Sequence, residues 1–568
     1  MRKQLLTALV YFLPFIITAQ SFVGKGKAVD PFNYTIHKDQ EFRKGSVVSA
    51  HPISSMVGAE ILKRGGNAVD AAIATQLALA VVFPVAGNIG GGGFMVARIN
   101  NKNISLDYRE MAPAAAHKDM YLNSSGDAQL NLSQNGHLAS GVPGTVAGLF
   151  ASHKYAKLPF KTLIQPAIDI AENGFRLTRR DASSLNGSQA GFIEHNTQKT
   201  VFINSAKWKE GDILVQKELA NTLKRIRDKG QAGFYEGETA RLIVAEMKRG
   251  NGIITLADLR KYKAKERKPL TFSYKGHTVV SMPPPSSGGV LLWQMMKMVE
   301  KRPLAQYGFH STKSVQLMIE AERRAFADRA EHLGDPDYWK VPVASITSQK
   351  YVQERMKDYD STKATPSSSI KAGMAYESDQ TTHLSIVDQW GNMVAVTTTL
   401  NGGFGSKTVV GGAGFLLNNE MDDFSIKPGV PNMFGAVGGE ANKIEPGKRM
   451  LSSMTPTIVL KNNKPYIVAG TPGGTTIITS VFQTLINIID YRMNASDAVN
   501  KPKFHHQWLP DVVDVEKTLP ENVKNDLLRM GYKLNERNGI GRTEVIKVVN
   551  GKLQSAADKR GDDSVAGH

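Results

Sequence analysis

The sequence predicts a large α/β protein, because long helical patterns and β-branched strands occur in the same chain. Residues 47–84 repeat small apolar side chains at helical spacing, and the pair Gly65-Gly66 divides them into two helices. Residues 144–350 are predicted to be mainly helical. The chain after residue 381 alternates polar and apolar side chains, as half-buried strands do. With 568 residues, of which 41% are apolar, the chain is long enough for an extensive core.

Residues 1–19 have the pattern of a secretory signal. Arg2 and Lys3 give a positive start, residues 5–17 are apolar, and Ala19 is a small residue suited to a cleavage site. The apolar run is shorter than a membrane span requires. An uncleaved anchor is the alternative, but we expect a mature protein that is periplasmic or secreted and has no membrane span.

The composition excludes several kinds of chemistry. The chain has no cysteine, which excludes disulfides, cysteine-ligated zinc and a cysteine nucleophile. Its formal net charge is +18, and a surplus of this size is common in proteins that bind nucleic acid. The lysines are scattered, however, and form no long basic run. We therefore expect a solvated basic surface and no nucleic-acid partner.

A glycine run connects the first helices to a pair of strands. Residues 90–93 are all glycine and lead into a predicted strand at 95–99, and a second strand at 104–108 runs directly into Arg109. The run begins no Gly-x-Gly-x-x-Gly motif, and the chain has no Gly-Lys-Ser/Thr phosphate loop. Close packing of backbones is therefore the better explanation for these glycines.

The most informative segment begins where a polar linker ends. Residues 359–380 have the composition of a linker. Thr381 then begins a strand, residues 389–392 read as a turn, and residues 393–400 read as the return strand. The sequence therefore predicts a β-hairpin whose first residue is a threonine.

A threonine hydroxyl is a poor nucleophile unless a base lies beside it. The α-amino group of Thr381 is one such base, with an unperturbed pKa of roughly 7.7–8.0, but it exists only if the Gln380–Thr381 bond is cut. His383 is the alternative base. It lies on the same face of the strand about 6.6 Å away, and side chains that point in parallel are poorly placed for proton transfer. We therefore favour the amine.

Two further segments complete the candidate site. Residues 397–399 and Asn401 place hydroxyls and an amide near the open end of the hairpin. Residues 472–475, Pro-Gly-Gly-Thr, lie at a strand-to-helix turn whose backbone N–H groups suit an oxyanion hole. The pair His505-His506 has no acidic or histidine partner at ligand spacing, so we expect a structural role and no metal.

These segments together resemble the γ-glutamyltransferase (γ-glutamyltranspeptidase) family, and the resemblance covers essentially all of residues 45–568. The matching segments are NIGGGGFM (88–95), DYREMAP (107–113), GVPG (141–144), TTH (381–383), NNEMDDF (418–424), LSSMTP (451–456), GG (473–474) and FHHQWLP (504–510). The family implies an N-terminal-nucleophile hydrolase fold, a four-layer αββα sandwich, with self-cleavage of one precursor. A cut between Gln380 and Thr381 would give a large subunit, residues 20–380, intertwined with a small subunit, residues 381–568.

The resemblance also implies a reaction. Thr381 would be both the processing and the catalytic nucleophile, Thr399 would orient it, and the N–H groups of Gly473 and Gly474 would hold the oxyanion. The hydroxyl would attack a γ-glutamyl amide such as glutathione and form an acyl-enzyme. Water, an amino acid or a short peptide would then accept the acyl group. The family's chemistry implies no cofactor and no metal.

Substrate binding is implied for six residues: Arg109, Asn401, Glu420, Asp423, Ser452 and Ser453. Arg109 would bind the α-carboxylate of the glutamyl group with help from the two serine hydroxyls, a task suited to a planar guanidinium. The acidic residues and the asparagine would receive the α-ammonium.

Two positions depart from the family pattern. Residue 420 is Glu where many bacterial members have Gln, which adds negative charge near the ammonium. Residues 428–446 match a lid loop, but Phe434 stands where several members have a tyrosine whose hydroxyl bonds to the asparagine matched by Asn401.

Three alternatives are open at this point. A glutaryl or cephalosporin acylase has the same fold but needs no ammonium site, and Asp423 argues against it. A poly-γ-glutamate depolymerase acts on an anionic polymer, which a basic chain would suit. An inactive binding protein of the cell envelope would not need to keep Thr381, Thr399 and the glycine pair. Glutathione hydrolysis and γ-glutamyl transfer remain the main prediction.

Overall fold

The computed structural model describes residues 21–370, 381–427 and 439–568. The predicted signal, Gln380 at the predicted cut and Phe434 of the predicted lid lie outside these ranges. Within the described ranges, no helix is both long enough and apolar enough to cross a membrane.

The chain forms strands and helices along its whole described length. The strands are β1 (Asp39–Phe42), β2 (Ser46–Ser49), β3 (Gly92–Ile99), β4 (Lys102–Asp107), β5 (Phe175–Arg176), β6 (Ile213–Leu214), β7 (Lys265–Arg267), β8 (Leu270–Tyr274), β9 (His277–Ser281), β10 (Thr381–Val387), β11 (Met393–Thr399), β12 (Thr457–Lys461), β13 (Lys464–Gly470), β14 (Phe504–His505), β15 (Val513–Glu516), β16 (Leu534–Arg537), β17 (Glu544–Val549), β18 (Lys552–Ala557) and β19 (Ser564–Gly567). The helices are α1 (Pro52–Lys63), α2 (Ala68–Val82), α3 (Leu130–Gln134), α4 (Thr145–His153), α5 (Phe160–Asn173), α6 (Arg179–Glu194), α7 (Lys217–Lys229), α8 (Ala232–Tyr235), α9 (Gly237–Arg249), α10 (Leu256–Lys261), α11 (Gly288–Glu300), α12 (Leu304–Tyr307), α13 (Thr312–His332), α14 (Val343–Ile346), α15 (Gln349–Arg355), α16 (Thr476–Ile489), α17 (Ala495–Asn500) and α18 (Glu521–Arg529).

Two seven-stranded sheets form the centre of the molecule. The hairpin sheet has the strand order β19-β2-β10-β11-β3-β4-β7, and the partner sheet has the order β1-β18-β17-β13-β12-β9-β8. Neighbouring strands in both sheets are antiparallel. The predicted hairpin is thus an internal part of one sheet.

Three apolar cores separate these layers. Ala395 of β11 and Ile458 of β12 belong to the core between the two sheets. Leu384 of β10 belongs to a second core, which the hairpin sheet shares with helices α1, α2 and α5. Val459 of β12 belongs to a third, shared with α11, α13 and α16. Helices therefore cover the outer face of each sheet, and the predicted four-layer αββα sandwich is confirmed.

Both sheets contain strands from the two sides of the predicted cut, paired with one another. In the hairpin sheet, β2 lies between β19 and β10, and β11 is paired with β3. In the partner sheet, β12, β13, β17 and β18 are flanked by β1 on one side and by β9 and β8 on the other. Main-chain hydrogen bonds therefore join residues before 370 to residues after 381 in both sheets.

Most elements agree with the sequence prediction, but the strands inside residues 144–350 were not predicted. The break at Gly65-Gly66 separates α1 from α2, and the strands predicted after the glycine run are β3 and β4. Strands β5 to β9 lie inside residues 144–350, which the sequence predicts to be mainly helical. Strands β8 and β9 are short and are joined by the two-residue turn Lys275-Gly276, so their apolar pattern is weak.

Candidate active site

Thr381 is the first residue of β10 and lies at the open end of the hairpin, where the register pairs it with Thr399. Val387, on the same face of the strand, packs between the two sheets, whereas Ile386 packs toward the helices. Because side chains alternate along a strand, the Thr381 side chain also faces the space between the sheets. The residue is only 7% exposed. Its hydroxyl therefore lies in a nearly closed space.

Both ring nitrogens of His383, the alternative base, are hydrogen-bonded to other side chains. Nδ1 lies 2.9 Å from the Thr397 hydroxyl, and Nε2 lies 3.1 Å from the Ser385 hydroxyl. Burial lowers the pKa of His383 to about 3. A group with this pKa is a weak base near neutral pH, which favours the amine of Thr381 for that role. The imidazole packs over Gly470, where a Cβ atom would lie 2.2 Å from the ring.

Asn88 holds the residue that faces the predicted nucleophile. Its Nδ2 donates to the carbonyl oxygen of Thr399 at 2.8 Å and to that of Ala86 at 2.9 Å. Its Oδ1 accepts from the Gly91 N–H at 3.1 Å and from the Thr145 hydroxyl at 2.6 Å. A Cβ at Gly91 would lie 2.1 Å from the Thr399 carbonyl oxygen, so only glycine allows this approach. Close backbone packing is thus confirmed as the role of the glycine run.

Gly473 and Gly474 lie immediately before α16. Their φ angles are 133° and 58°, in the region that favours glycine. Both residues are buried, and within the described ranges neither N–H donates a hydrogen bond. A buried N–H without an acceptor is costly, and the start of a helix attracts negative charge. These two groups are therefore suited to bind an oxyanion.

Arg109 is 1% exposed and lies among carboxylates. Its Nη1 is 2.8 Å from Oε1 of Glu420 and 3.6 Å from Oε2 of Glu110, and its Nη2 bonds to Asp423. Nη2 also donates to the carbonyl oxygen of Leu451 at 3.2 Å. Removing one member of such a buried pair leaves a charge that water cannot solvate, so the cation and the acids depend on one another. We call these four side chains the Arg109 cluster.

Strand register places the nucleophile and the Arg109 cluster in one row. Thr381 is opposite Thr399, Thr399 is opposite Gly92, and the β3–β4 register continues to place Arg109 opposite Gly92. Three strand spacings correspond to about 14 Å between the end backbones of this row. The row can accommodate a short chain with an acyl group at one end and charges at the other.

The other predicted binding residues lie beside this row. Ser453 has a buried hydroxyl with no hydrogen-bond partner in the described part of the chain, and Ser452 precedes it directly. The backbone N–H of Asn401 donates to Oγ1 of Thr399 at 2.8 Å, and its Nδ2 donates to the Asn419 carbonyl oxygen at 3.0 Å. The structure therefore links Asn401 directly to Thr399, and Ser452 and Ser453 follow Leu451, whose carbonyl oxygen accepts from Arg109.

Glu110 is a member of the cluster that the sequence analysis missed. Its side chain is fully buried, and neither carboxyl oxygen has a hydrogen-bond partner among the described residues. Burial raises its pKa to about 8, against the opposing effect of Arg109. At pH 7 the group is therefore mostly neutral, which limits the negative charge of the cluster. The only signal in the sequence is its place directly after Arg109.

We expect Glu110→Gln to remove a pH dependence of stability. Because the folded state raises the pKa of Glu110 from 4.5 to about 8, folding favours the protonated form. Its contribution to stability is therefore fully present below pH 4.5 and is lost as the pH rises toward 8. Urea unfolding at several pH values should show the wild type losing stability relative to the glutamine variant over that interval. Parallel profiles would show that Glu110 is ionised in the folded protein.

His505 and His506 are buried and bonded within the protein. His505 Nδ1 lies 2.9 Å from the Thr479 hydroxyl, and His506 Nε2 lies 3.4 Å from Asp511. Burial lowers the pKa of each to about 4. These contacts fit the structural role predicted for the pair. No group of three potential metal ligands occurs in the described ranges.

Comparison with known proteins places these features in a family. A family profile described as gamma-glutamyltranspeptidase matches residues 54–568. Over 551 residues the chain is 46% identical to the glutathione hydrolase proenzyme of Escherichia coli (strain K12), and the match covers 95% of each chain.

Two solved structures agree with this result. The gamma-glutamyltranspeptidase of Helicobacter pylori is 42% identical with a TM-score of 0.56, and the match covers 60% of this chain and 97% of that one. A cephalosporin acylase from Bacillus halodurans has a TM-score of 0.84 at 27% identity, with coverage of 95% and 99%. The acylase shares the fold of this chain. The sequence of this chain, however, is more similar to the E. coli glutathione hydrolase proenzyme and to the H. pylori gamma-glutamyltranspeptidase than to the acylase.

Proposed function

This chain belongs to the gamma-glutamyltranspeptidase family, and from that premise we propose that it cleaves γ-glutamyl amides, glutathione among them, through a γ-glutamyl-threonine intermediate. One observation carries the proposal. Thr381 lies in the same sheet row as a buried arginine paired with two acids, which is the arrangement a γ-glutamyl zwitterion requires. The enzyme is synthesised as one precursor that becomes two subunits, residues 20–380 and 381–568, and is periplasmic or secreted.

The first reaction is the cleavage of the precursor itself. The Thr381 hydroxyl attacks the carbonyl carbon of Gln380, and the peptide C–N bond breaks as its nitrogen takes a proton. The product is an ester between Gln380 and the threonine oxygen, with a free α-amine on Thr381. Water hydrolyses this ester and releases the hydroxyl. The amine that acts as the catalytic base is therefore a product of this step.

In turnover, the α-amine of Thr381 accepts the hydroxyl proton while the oxygen attacks the γ-glutamyl carbonyl. The oxyanion that forms is held by the N–H groups of Gly473 and Gly474. The amine returns the proton to the leaving nitrogen, and the C–N bond breaks to give the acyl-enzyme. Water, or the amine of an amino acid or short peptide, then attacks the ester and regenerates the hydroxyl.

Binding of the glutamyl end exchanges one set of ion pairs for another. The α-carboxylate of the substrate binds Arg109, and its α-ammonium binds Asp423 and Glu420, with the hydroxyl of Ser453 as a further donor to the carboxylate. Each buried charge is paired before and after this exchange, so neither state leaves an unsolvated ion. A substrate that lacks one of the two charges would leave a member of the cluster unpaired.

We expect Asn88→Ala to lower kcat for a γ-glutamyl anilide while changing KM much less. The side chain holds the Thr399 backbone, not the substrate, so its loss displaces the group that orients the nucleophile. A displacement of about 1 Å can reduce the rate by about 10²-fold. Steady-state kinetics would measure the two constants, and a gel time course should show slower cleavage of the precursor. An increase in KM with kcat unchanged would contradict a positioning role.

The acylase alternative is less well supported. An acylase that acts on a glutaryl group has no α-ammonium to bind, whereas Asp423 and Glu420 both bond to the buried Arg109 here. Sequence identity is 46% to the E. coli glutathione hydrolase proenzyme and 27% to the B. halodurans acylase. The charge arrangement and the identities favour the same conclusion.

A direct assay tests the proposal. The purified protein is incubated with γ-glutamyl-p-nitroanilide and, separately, with glutaryl-p-nitroanilide, which lacks the amino group. We expect much faster release of nitroaniline from the first substrate than from the second, with an increase for the first when glycylglycine is present as acceptor. Cleavage of the glutaryl compound alone would overturn the proposal in favour of an acylase.

A further inference from the structure

Asn442 lies between two segments that form opposite sides of the proposed glutamyl site. The acid segment, residues 420–425, carries two of the acids of the Arg109 cluster. The serine segment, residues 450–453, carries the two serines predicted to bind the substrate. Asn442 is only 5% exposed and ends a short turn of 3-10 helix, Glu440–Asn442. Its side-chain amide is therefore enclosed where it can reach both segments.

The side chain of Asn442 joins the backbones of the two segments. Its Nδ2 donates to the carbonyl oxygen of Asp423 at 2.7 Å, and its Oδ1 accepts from the Leu451 N–H at 2.9 Å. The carbonyl oxygen of Asn442 accepts from the Ser425 N–H at 2.9 Å. The amide thus uses its donor on the acid segment and its acceptor on the serine segment, which fixes the distance between them.

Arg109 makes a second link between the same two segments. Its Nη2 bonds to the carboxylate of Asp423 and donates to the carbonyl oxygen of Leu451 at 3.2 Å. The Leu451 residue is therefore held on both sides, because its C=O accepts from the arginine and its N–H donates to the asparagine. Asp423 and Leu451 are thus connected twice, once through Arg109 and once through Asn442.

Substrate binding affects these two links differently. In the proposed complex, the substrate carboxylate bonds to Arg109 and the substrate ammonium bonds to Asp423, so contacts with the ligand replace the pair between these side chains. The link through Asn442 uses backbone groups, for which the ligand does not compete. This link therefore persists in the complex, where it keeps the ammonium acceptor and the carboxylate donors at the spacing of one α-amino acid.

We propose that Asn442 is a positioning residue that sets the selectivity of the site for zwitterionic α-amino acids. The inference rests on the proposed function. A ligand with both charges separates Arg109 from Asp423 and depends on Asn442 to hold the two segments. A ligand without the ammonium leaves the pair of Arg109 and Asp423 in place and depends on Asn442 less. Loss of the amide should therefore weaken the binding of zwitterions more than the binding of simple carboxylates.

The test uses two competitive inhibitors of γ-glutamyl-p-nitroanilide hydrolysis: L-glutamate, which has both charges, and glutarate, which lacks the ammonium. We expect Asn442→Ala to raise the inhibition constant of L-glutamate by about 10- to 100-fold, because two buried hydrogen bonds are lost, and that of glutarate much less. KM for the anilide should rise with the constant for L-glutamate while kcat changes little, because the reacting atoms are at the other end of the row. Equal changes in the two inhibition constants would overturn the proposal.

Two further variants separate hydrogen bonding from packing. Asn442→Leu leaves no large cavity but has no polar atoms, so it should lose selectivity as the alanine variant does. A wild-type ratio of the two constants in Asn442→Leu would overturn the proposal. Asn487→Ala is the matched control, because Asn487 is 7% exposed and donates to the Ala498 carbonyl oxygen at 3.2 Å, near the end of α16. Its ratio should equal that of the wild type, and an equal loss of selectivity there would also overturn the proposal.

Folding of the Asn442 variants is itself part of the test. Without substrate, Arg109 still links the two segments, so we expect both variants to fold, as measured by circular dichroism and urea unfolding. Unfolded variants would overturn the proposal, because Asn442 would then support the free protein and not the complex. Failure of the wild type to hydrolyse the anilide would refute the proposed function instead.

Discussion

Replacement of Thr381 by alanine is expected to leave one uncleaved chain without activity. Alanine has no hydroxyl to attack the carbonyl carbon of Gln380 and none to form the acyl-enzyme. A denaturing gel should show a single band near the 61.9 kDa of the full chain, where the wild type shows two shorter bands. Hydrolysis of a γ-glutamyl anilide should fall by at least about 10⁴-fold, the size of effect seen when a catalytic nucleophile is removed.

Thr381→Ser is the matched control for this experiment. Serine keeps the hydroxyl and the α-amine, so this variant should still cleave itself and retain measurable turnover. N-terminal sequencing of the shorter wild-type fragment should begin Thr-Thr-His. If the alanine variant were still cut between residues 380 and 381, Thr381 would not be the processing nucleophile.

Asp423→Ala is expected to lower kcat/KM for γ-glutamyl-p-nitroanilide by about 10²- to 10³-fold. The carboxylate bonds to Arg109 and is proposed to receive the substrate ammonium, and loss of one partner from a buried charge pair costs about 2–5 kcal/mol. The loss should appear mainly in KM, because the reacting atoms are at the other end of the row. Steady-state kinetics over a wide range of substrate concentration would separate the two constants.

Glutaryl-p-nitroanilide provides the substrate-side control for Asp423→Ala. This compound has no ammonium, so any residual hydrolysis of it should be affected much less by the substitution. The difference between the two losses measures the interaction between the carboxylate and the ammonium, as in a double-mutant cycle. Equal losses with both substrates would show that Asp423 only supports the fold around Arg109.

The β10–β11 hairpin was predictable because the alternation of its side chains, its turn residues and the threonine at its start all indicate the same structure. Strict alternation from Thr381 onward, a turn at residues 389–392 and a β-branched return strand define one register, and the structure has that register. The layers were predictable only through the family resemblance. Strands β5 to β9 were not predicted, because short strands in a mainly helical region have too few residues to show a period.

Other parts of the site depend on contacts between distant segments. Glu110 reads as an ordinary polar residue after a strand, and only the fold buries it beside Gly92 and Arg109. Asn88 lies in one of the segments that match the family. Its hydrogen bond to the Thr399 carbonyl oxygen, however, joins residues that are 311 positions apart in the sequence. Composition and residue spacing give no information about such contacts between distant segments.

In both sheets, strands from before residue 370 pair with strands from residue 381 onward, and this has a consequence for a cleaved enzyme. Pulling the two fragments apart would break main-chain ladders in each sheet and open the core between them, so dissociation and unfolding are one event. We therefore expect a processed enzyme whose activity survives extreme dilution and whose fragments do not exchange with those of another molecule. The proposed cut would create a new chain end without creating a separable partner.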